Sequence, residues 1–263
     1  MHNNDNFLEF AKKTAISAGA LLLNHFGNIS SIETKSTNID LVTIADLESE
    51  KFIVEQINNS FPEHKIFTEE GSSNNNTSEY CWIIDPLDGT TNFVHNLPIF
   101  AVAIGLQKNN ETILGVVYNP VANKCFWAQK NHGAFLNEKH INTSSTNTLS
   151  KSLLVTGFPY VHDLKWDINF NLFKKFYKQT QGIRRLGAAA LDFCFVAMGR
   201  FEGFWELELK PWDVCAGAII VKEAGGKVTD WDGSSMPCSG KRILATNSHI
   251  HDEMIKTLIT ELH

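Results

Sequence analysis

One stretch of sequence decides the fold and the chemistry of this chain: Trp82-Ile83-Ile84-Asp85-Pro86-Leu87-Asp88-Gly89-Thr90-Thr91-Asn92-Phe93. Residues 81–84 are apolar after the cysteine and predict a buried strand. This strand ends in two carboxylates, Asp85 and Asp88, and active sites of α/β folds collect at such strand ends. The backbone carbonyl of Leu87 places a third oxygen between the two acids.

The residues after the second acid suit a phosphate group. Gly89-Thr90-Thr91-Asn92 offers backbone N–H groups and hydroxyls that can surround an anion. Two carboxylates beside that segment would repel a phosphate dianion unless a metal ion lay between them, and hard oxygen ligands favour Mg²⁺ or Mn²⁺. An Asp-Gly pair alone is typical of a hairpin turn, but the whole twelve-residue string favours a metal-dependent phosphate site.

Length and composition limit the classes of protein to consider. A chain of 263 residues that is 43% hydrophobic, with 18 Phe and 6 Trp, can form one large domain or two fused halves around a substantial core. The formal charge is −6 with acids and bases interspersed, so we expect no nucleic-acid surface. The apolar runs are too short for a transmembrane helix, and the N-terminus lacks the basic start and apolar run of a signal peptide.

The cysteine and histidine patterns do not indicate a metal site. The five cysteines lack CxxC spacing: Cys81, Cys125, Cys194, Cys215 and Cys238. An odd, dispersed set is typical of reduced, mostly buried thiols, so we expect a cytoplasmic protein. His249-Ile250-His251 has no Cys or acid partners, and we interpret both histidines as surface residues at the start of a C-terminal helix.

Hydrophobic periodicity predicts two halves of different character. Before about residue 145, helices at 6–26 and 47–59 are followed by strands at 100–107, 112–118 and 125–128. After it, strands alternate with helices predicted at 166–178, 188–198, 212–224 and 250–262. We therefore expect an α/β (α+β) chain forming one compact unit, with an antiparallel-rich N-terminal half (1–145) packed on an alternating C-terminal half (146–263).

Three further segments carry acids, and each of them has an ordinary structural explanation when it is considered alone. Glu69-Glu70 follows a short predicted strand, and an acidic pair in a loop is usually solvated surface. Asp46 stands directly before a predicted helix, where an aspartate is an ordinary N-cap. Asp213 follows Pro211-Trp212 in the first turn of another predicted helix, where an acid complements the helix dipole without further function.

Together with the twelve-residue string, these segments resemble the inositol monophosphatase family, within the wider lithium-sensitive, Mg²⁺-dependent sugar phosphatases. The resemblance spans nearly the whole chain, with motifs in the family's order: Glu69-Glu70, Asp85 to Phe93, Glu206, Pro211-Trp212-Asp213, Ala216-Gly217-Ala218 and Glu223-Ala224-Gly225-Gly226. Gly182-Ile183-Arg184-Arg185 and Lys210-Pro211-Trp212 are similar to the bacterial branch. The resemblance implies the family's layered αβαβα sugar-phosphatase fold.

The resemblance also implies metal ligands and catalytic residues. Two or three Mg²⁺ ions, with Mn²⁺ as a substitute, would be held by Glu69, Asp85, the Leu87 carbonyl, Asp88 and Asp213. Of these, Glu69, Asp85 and Leu87 would hold the first ion, Asp85, Asp88 and Asp213 the second, and Glu69 would help to hold a third, weaker one. Asp46 and Thr90 would orient the attacking water, and Glu70 would order further waters near the metals.

The substrate contacts implied by the resemblance lie in both halves of the chain. Gly89 and Thr90 would receive the phosphate, close to Glu69, Leu87 and Asp88. The polyol hydroxyls would face Glu206, Asp213 and the backbone of Gly187, Ala188 and Ala189.

A direct attack by water fits the absence of a nucleophile motif. Phosphate-monoester hydrolysis needs up to ~10²¹-fold acceleration. Two metals that share a bridging carboxylate, here Asp85, can activate water and stabilise the leaving oxygen. The sequence contains no obvious Cys-x5-Arg or Asp-x-Asp-x-Thr site, so we expect no covalent phosphoenzyme.

Three residues depart from the commoner family pattern. Leu87 replaces a more frequent Ile, which should be harmless because the carbonyl is the ligand. Ala188 stands where Ser or Thr is frequent, so one hydroxyl near the substrate is missing. Glu208 adds an acid two residues from Glu206, and this spacing on a strand predicts the same face. The last two departures leave the identity of the polyol open.

We therefore expect an Mg²⁺-dependent phosphomonoesterase acting on inositol 1-phosphate, and a homodimer as the family favours. One alternative is a related phosphatase for a sugar bisphosphate, histidinol phosphate or a nucleotide 3′-phosphate. No extra basic cluster for a second phosphate stands near the motifs, which disfavours bisphosphates. The other alternative is a regulatory binding protein that retains phosphatase activity, since some bacterial relatives contact the transcription or ribosome machinery.

Overall fold

The computed structural model describes residues 2–28, 32–34, 41–74, 76–235 and 240–261. Its α-helices are α1 (His2–His25), α2 (Ile44–Ser60), α3 (Thr90–Val94), α4 (Leu164–Tyr177), α5 (Ala189–Ala197), α6 (Pro211–Glu223) and α7 (His251–Leu258). Its strands are β1 (Ile32–Thr34), β2 (Leu41–Thr43), β3 (Lys65–Thr68), β4 (Tyr80–Asp88), β5 (Ala101–Lys108), β6 (Glu111–Asn119), β7 (Lys124–Gln129), β8 (Ala134–Leu136), β9 (Lys139–Ile141), β10 (Leu153–Thr156), β11 (Gly182–Arg184), β12 (Gly203–Leu207), β13 (Lys227–Thr229) and β14 (Arg242–Thr246).

Two large sheets and three layers of helices form the αβαβα arrangement that the family resemblance implies. A seven-stranded sheet has the order β3-β4-β5-β6-β7-β8-β9, antiparallel except for the parallel pair β3–β4. A five-stranded mixed sheet has the order β11-β10-β12-β14-β13. Helices α1 and α2 cover the outer face of the first sheet, α5 and α6 lie between the sheets, and α4 and α7 cover the second sheet. The antiparallel-rich half and the alternating half are both confirmed.

The central strands are apolar along nearly their whole length because both of their faces are covered. In β5 every residue from Ala101 to Gln107 is buried, with no alternation of polar and apolar positions. Such a run is typical of a strand between two layers of helices. The largest apolar cluster joins residues of β5 to β8 with residues of α5, α6, β12 and β14, so the core crosses residue 145.

Glycines allow α6 to lie unusually close to the first sheet. Gly105 and Gly115 face each other in β5 and β6, and a Cβ on Gly115 would lie 2.5 Å from the Ala216 carbonyl oxygen. On the other side of the helix, a Cβ on Gly217 would lie 2.6 Å from Phe193 Cβ in α5. This close packing explains the Ala216-Gly217-Ala218 motif and brings the first turn of α6, with Asp213, towards the end of β4.

Helix α2 begins three residues before its predicted start. Its N-cap is Thr43, whose Oγ1 accepts a hydrogen bond from the Ala45 backbone N–H at 3.2 Å. Asp46 is therefore not the N-cap but the third helical residue of a capping box, and its Oδ2 accepts the Thr43 backbone N–H at 2.8 Å. The polar run 35–40, part of the segment ending at Asp46, lies outside the described residues.

The state of the cysteines and the character of the helices agree with the predictions made from the sequence. Cys81, Cys125, Cys194 and Cys215 are free, and all but the half-buried Cys81 are buried, while Cys238 lies outside the described residues. None of the described helices is both long enough and apolar enough to cross a bilayer.

The structure contradicts the surface assignment of one histidine. His251 is 2% exposed, and its ring nitrogens lie 3.0 Å from Thr229 Oγ1 and 2.8 Å from Thr246 Oγ1. Both hydroxyls come from strands of the second sheet, which the sequence around His251 does not reveal. His249 is exposed, as predicted.

We expect His251 to make the fold sensitive to acid. Burial lowers its pKa to about 4, with a smaller contribution from the Lys227 charge. The unfolded chain takes up this proton near pH 6.5, so the stabilisation is complete above that pH and is lost as the pH falls towards 4. We expect the free energy of unfolding, measured by urea denaturation, to fall by about 1 kcal/mol more between pH 7 and pH 5 in the wild type than in His251→Asn. Equal losses would show that His251 does not set this dependence.

Candidate active site

The two acids of the twelve-residue string lie at the end of β4, where its pairing with β5 is interrupted. The register shifts between Asp85 and Asp88, so the two carboxylates flank the irregularity in the last residues of the strand. Asp85 is 1% exposed, and its Oδ1 accepts the Leu87 backbone N–H at 3.0 Å. The strand thus delivers both acids and the Leu87 carbonyl to one place, as predicted from the sequence.

Asp46 and Thr90 are brought together although 44 residues separate them. The Thr90 hydroxyl lies 3.0 Å from Asp46 Oδ1 and 3.1 Å from the Leu87 carbonyl oxygen, and its single proton can be donated to one of them at a time. Asp46 is fully buried, and this burial raises its pKa to about 6 against the hydrogen bonds from Thr43. The carboxyl group is therefore mostly ionised at neutral pH, and its Oδ1 can accept the Thr90 proton.

Asn92 joins the string to the second half of the chain. Its Nδ2 donates to the carbonyl oxygens of Ile99 and Leu186, each at 2.8 Å. Gly89 must be glycine here, since its φ is +93° and a Cβ would lie 2.9 Å from the Ile99 carbonyl oxygen. These contacts hold the start of α3 against the loop that carries Gly187.

The first turn of α5 holds Asp88. The backbone N–H groups of Ala189 and Ala190 donate to its Oδ1 at 3.0 Å and its Oδ2 at 2.9 Å. Burial raises the pKa of Asp88 to about 7, and these hydrogen bonds act against the rise. The Ala189 N–H is thus engaged by a carboxylate, which sequence reasoning had not anticipated.

The remaining acids of the set raise one another's pKa. Burial raises the pKa of Asp85 well above its usual range, and the charges of Glu69, Asp88 and Asp213 add to this effect. Burial followed by the Glu69 charge does the same for the pKa of Asp213, whose Oδ2 accepts the Lys210 backbone N–H at 2.6 Å. Four carboxylates therefore repel one another across a small volume.

This donor set fits a divalent cation. Hard carboxylate and carbonyl oxygens are what Mg²⁺ and Mn²⁺ select, and a cation would relieve the mutual repulsion of the acids. Over the described part of the chain, no three acidic, histidine or cysteine side chains are grouped as a metal site. Asp85, Asp88 and Asp213 accept backbone N–H groups instead. The ligand assignments therefore stay predictions.

The acids open into a cavity of about 380 Å³. Eight residues assigned from the sequence line it: Glu69, Asp85, Leu87, Asp88, Gly89, Thr90, Glu206 and Asp213. Asp46, Glu70, Gly187, Ala188 and Ala189 are not among the lining residues. Asp46 lies behind Thr90, and the turn from Gly187 to Ala189 lies behind Asp88 and Asn92. Direct contact of these five residues with water or polyol stays a prediction.

Glu206 is the second-last residue of β12, and its side chain lines the cavity. It is 8% exposed, and burial raises its pKa to about 8, with the Arg185 charge acting in the opposite direction. Gly157 makes room for it, since a Cβ on Gly157 would lie 2.1 Å from Glu206 Oε1. Glu206 thus lines the same cavity as the twelve-residue string, close enough to Asp88 for their charges to interact.

Sequence reasoning missed a buried acid that positions the Glu69-Glu70 loop. Glu50 is 2% exposed, and its carboxylate accepts the backbone N–H of Glu70 at 2.8 Å and of Ser72 at 3.0 Å. Asp46, Glu50, Ile53 and Ile57 are buried at helical spacing on α2, so polar residues on the inward face of the helix were the available signal.

Two lysines also line the cavity, although the sequence showed no extra basic cluster near the motifs. They are Lys165, at the start of α4, and Lys210, directly before α6. Lys165 was not recognised because it lies 77 residues after Asp88 in sequence and carries no motif of its own.

Glu208 does not share a strand face with Glu206. Strand β12 ends at Leu207, and Glu208 has a φ of +63°, which turns the chain away from the strand direction. Its Oε1 lies 2.9 Å from Lys165 Nζ. The period-two prediction was wrong because it holds only while the backbone stays extended.

The chain is similar in sequence and in structure to known proteins. Residues 3–263 match the profile of the Inositol monophosphatase family. The chain is 44% identical to the Inositol-1-monophosphatase of Synechocystis sp., covering 96% of this chain and 88% of that protein. It is 42% identical to the Putative Nus factor SuhB of Neisseria meningitidis serogroup B, covering 96% and 97%. The solved structure of inositol monophosphatase from Anabaena superposes with a TM-score of 0.86 at 42% identity, covering 98% and 97%.

Proposed function

Since the chain belongs to the inositol monophosphatase family, we propose that it hydrolyses inositol 1-phosphate to inositol and phosphate with Mg²⁺ as cofactor. The family consists of metal-dependent phosphatases that act on small phosphomonoesters, so the chain is a phosphatase of this kind. One observation carries the proposal: four mutually repelling carboxylates share a cavity with the Gly89-Thr90 segment and with Glu206. Metal, phosphate and polyol can therefore be accommodated together.

The metal ligands we propose come from both halves of the chain. Glu69, Asp85, the Leu87 carbonyl and Asp88 belong to residues 1–145, and Asp213 belongs to residues 146–263. Bound Mg²⁺, two or three ions with Mn²⁺ as a substitute, would supply charge that stabilises the phosphate and would favour deprotonation of water.

The chain's own residues would orient the attacking water. The ionised Asp46 accepts the proton of the Thr90 hydroxyl, which leaves the lone pairs of Thr90 Oγ1 free to accept a hydrogen bond from water. Glu70 would order neighbouring waters. Glu50 accepts the backbone N–H of Glu70 and so holds the loop that carries it. A water held in this way can attack the phosphorus in line, without a covalent phosphoenzyme.

Phosphate and polyol would occupy opposite sides of the cavity. Gly89 and Thr90, at the start of α3, would receive the phosphate beside Asp88. Glu206 would accept hydrogen bonds from the polyol hydroxyls, and its buried position makes their orientation specific. We further propose that the protein is cytoplasmic, because the cysteines that the structure describes are free and dispersed. We also propose a homodimer, because the family favours dimers.

A hydrolysis screen tests this function. The chain, supplied with Mg²⁺, should release phosphate from inositol 1-phosphate with a higher kcat/KM than from histidinol phosphate, a nucleotide 3′-phosphate or a sugar bisphosphate. A clear preference for another member of this panel would keep the chemistry and replace the substrate. Release from none of them would remove the proposed function.

We expect Li⁺ to inhibit the reaction, because the matching motifs are those of the lithium-sensitive phosphatases. Initial rates on inositol 1-phosphate, measured over a range of Li⁺ and substrate concentrations at constant Mg²⁺, should fall with Li⁺ in a pattern close to uncompetitive. K⁺ at equal ionic strength is the control. Rates that stay unchanged at high millimolar Li⁺ would contradict a family-like second metal position.

A regulatory role is the second candidate, and the relative named Putative Nus factor SuhB favours it. Such a role need not remove the phosphatase activity. Pull-down from native lysate with and without Mg²⁺, using the wild-type chain, would recover transcription components if it exists. Recovery of none of them under either condition would leave only the enzyme function.

A further inference from the structure

The outer part of the cavity carries an ion pair that the proposed reaction does not use. Lys165 Nζ lies 2.9 Å from Glu208 Oε1, and both residues line the cavity. Their side chains are 49% and 34% exposed, whereas Asp85 is 1% exposed, so the pair lies towards the mouth and the metal-binding acids lie at the bottom. The Glu208 carboxylate raises the pKa of Lys165. Lys165 therefore stays charged at neutral pH and is held by one partner.

Glu208 adopts a backbone conformation that glutamate rarely takes. Its φ of +63° lies in the left-handed region, where glycine or asparagine would be less strained. Such residues concentrate at functional sites, where the side chain justifies the strain. The side chain of Glu208 has one contact that suggests such a purpose, the ion pair with Lys165.

The charges around the mouth balance. The lysines that line the cavity within the described residues are Lys165 and Lys210, and the acids beside them are Asp163 and Glu208. Asp163 is additionally engaged as the N-cap of α4, accepting the Lys165 backbone N–H at 2.8 Å. Removal of the Glu208 charge alone would leave a net positive charge at the mouth of the cavity.

A substrate with two phosphates would place the second one at this mouth. In the proposed reaction the first phosphate binds at the bottom of the cavity, at the Gly89-Thr90 segment and beside the cations that the acids would hold, and the sugar would fill the middle. The far phosphate then meets the outer wall, where a free lysine would attract it and a carboxylate would repel it. With Glu208 in place, Lys165 is already neutralised.

We propose that the Lys165–Glu208 ion pair is a selectivity device that disfavours sugar bisphosphates and favours monophosphates of neutral polyols. This inference rests on the proposed function, because it assumes that the first phosphate binds at the end of β4. Glu208 is the specificity-determining residue, and Lys165 is the group that it keeps from a second phosphate.

Competition against a simple substrate tests the device. With p-nitrophenyl phosphate as the reporter, the inhibition constants of fructose 1,6-bisphosphate and inositol 1-phosphate are measured for the wild type and for Glu208→Gln. The ratio of the two constants should shift in favour of the bisphosphate by about fivefold in Glu208→Gln, since one partly exposed charge interaction is exchanged for another. Glu208→Gly should give the same shift with higher thermal stability, because glycine relieves the strain at this position.

Two further variants identify the cause of the shift. In Lys165→Met/Glu208→Gln, the ratio should return to the wild-type value because the freed lysine is gone. Glu111→Gln removes the partner of Lys130 in another exposed ion pair, which does not line the cavity, and should leave the ratio unchanged. A shift in the double variant as large as in Glu208→Gln, or no shift in Glu208→Gln, would overturn the inference. Failure of the wild type to hydrolyse even p-nitrophenyl phosphate would instead overturn the proposed function.

Discussion

Asp88→Asn is expected to lower kcat on inositol 1-phosphate by at least about a thousandfold, because a neutral amide is a poor ligand for Mg²⁺ and metal catalysis contributes several kcal/mol. Asp88 also accepts the backbone N–H groups of Ala189 and Ala190. The amide of asparagine can accept only one of these, so we expect a loss of stability of about 1–3 kcal/mol in addition. The measurements are initial rates at saturating Mg²⁺ and a thermal melt.

A second variant separates the loss of metal binding from the loss of stability. Asp213 accepts one backbone N–H, from Lys210, which an asparagine oxygen can still accept. Asp213→Asn should therefore lose activity to a similar extent with little change in Tm. Leu87→Ile is the matched silent variant, since only the Leu87 carbonyl is used. Activity of Asp88→Asn within tenfold of wild type would remove Asp88 from the metal site.

Above about pH 8, where Glu206 is ionised, Glu206→Gln is expected to lower kcat/KM on inositol 1-phosphate by roughly 10- to 150-fold, which corresponds to about 1.5–3 kcal/mol for a lost charged hydrogen bond. On p-nitrophenyl phosphate, which offers no hydroxyls to this carboxylate, the change should be under about threefold. Because burial raises the pKa of Glu206 to about 8, its carboxylate forms as the pH rises through that value. The loss of kcat/KM on inositol 1-phosphate caused by Glu206→Gln should therefore grow as the pH rises.

A glycine beside Glu206 provides an independent check. Gly157→Ala would place a methyl group against the Glu206 carboxylate and displace it, so the same substrate-dependent loss is expected. Equal losses on both substrates in Glu206→Gln would assign Glu206 to metal binding or to support of the fold. No loss on either substrate would exclude a contact with the polyol.

The sequence by itself determined the order of the elements and the position of most acids of the site. Apolar runs and helical periodicity predicted β5, β6, β7, α5 and α6 to within a few residues, because these signals arise from burial of neighbouring positions along one element. The twelve-residue string predicted two acids at the end of a buried strand, because strand, turn and helix start are all local there. The family motifs predicted which distant acids would join them, and Glu69 and Asp213 do line the same cavity.

Only the tertiary structure decided which side chains meet across the layers. The hydrogen bonds from the start of α5 to Asp88, the burial of His251 against two strands and the pairing of Lys165 with Glu208 all join separate elements. Glu208 was misplaced because the left-handed turn after β12 overrides the strand period. A charged or polar residue takes its role from the groups that surround it, and packing of α4, α6 and the strand ends brings those groups from far along the chain.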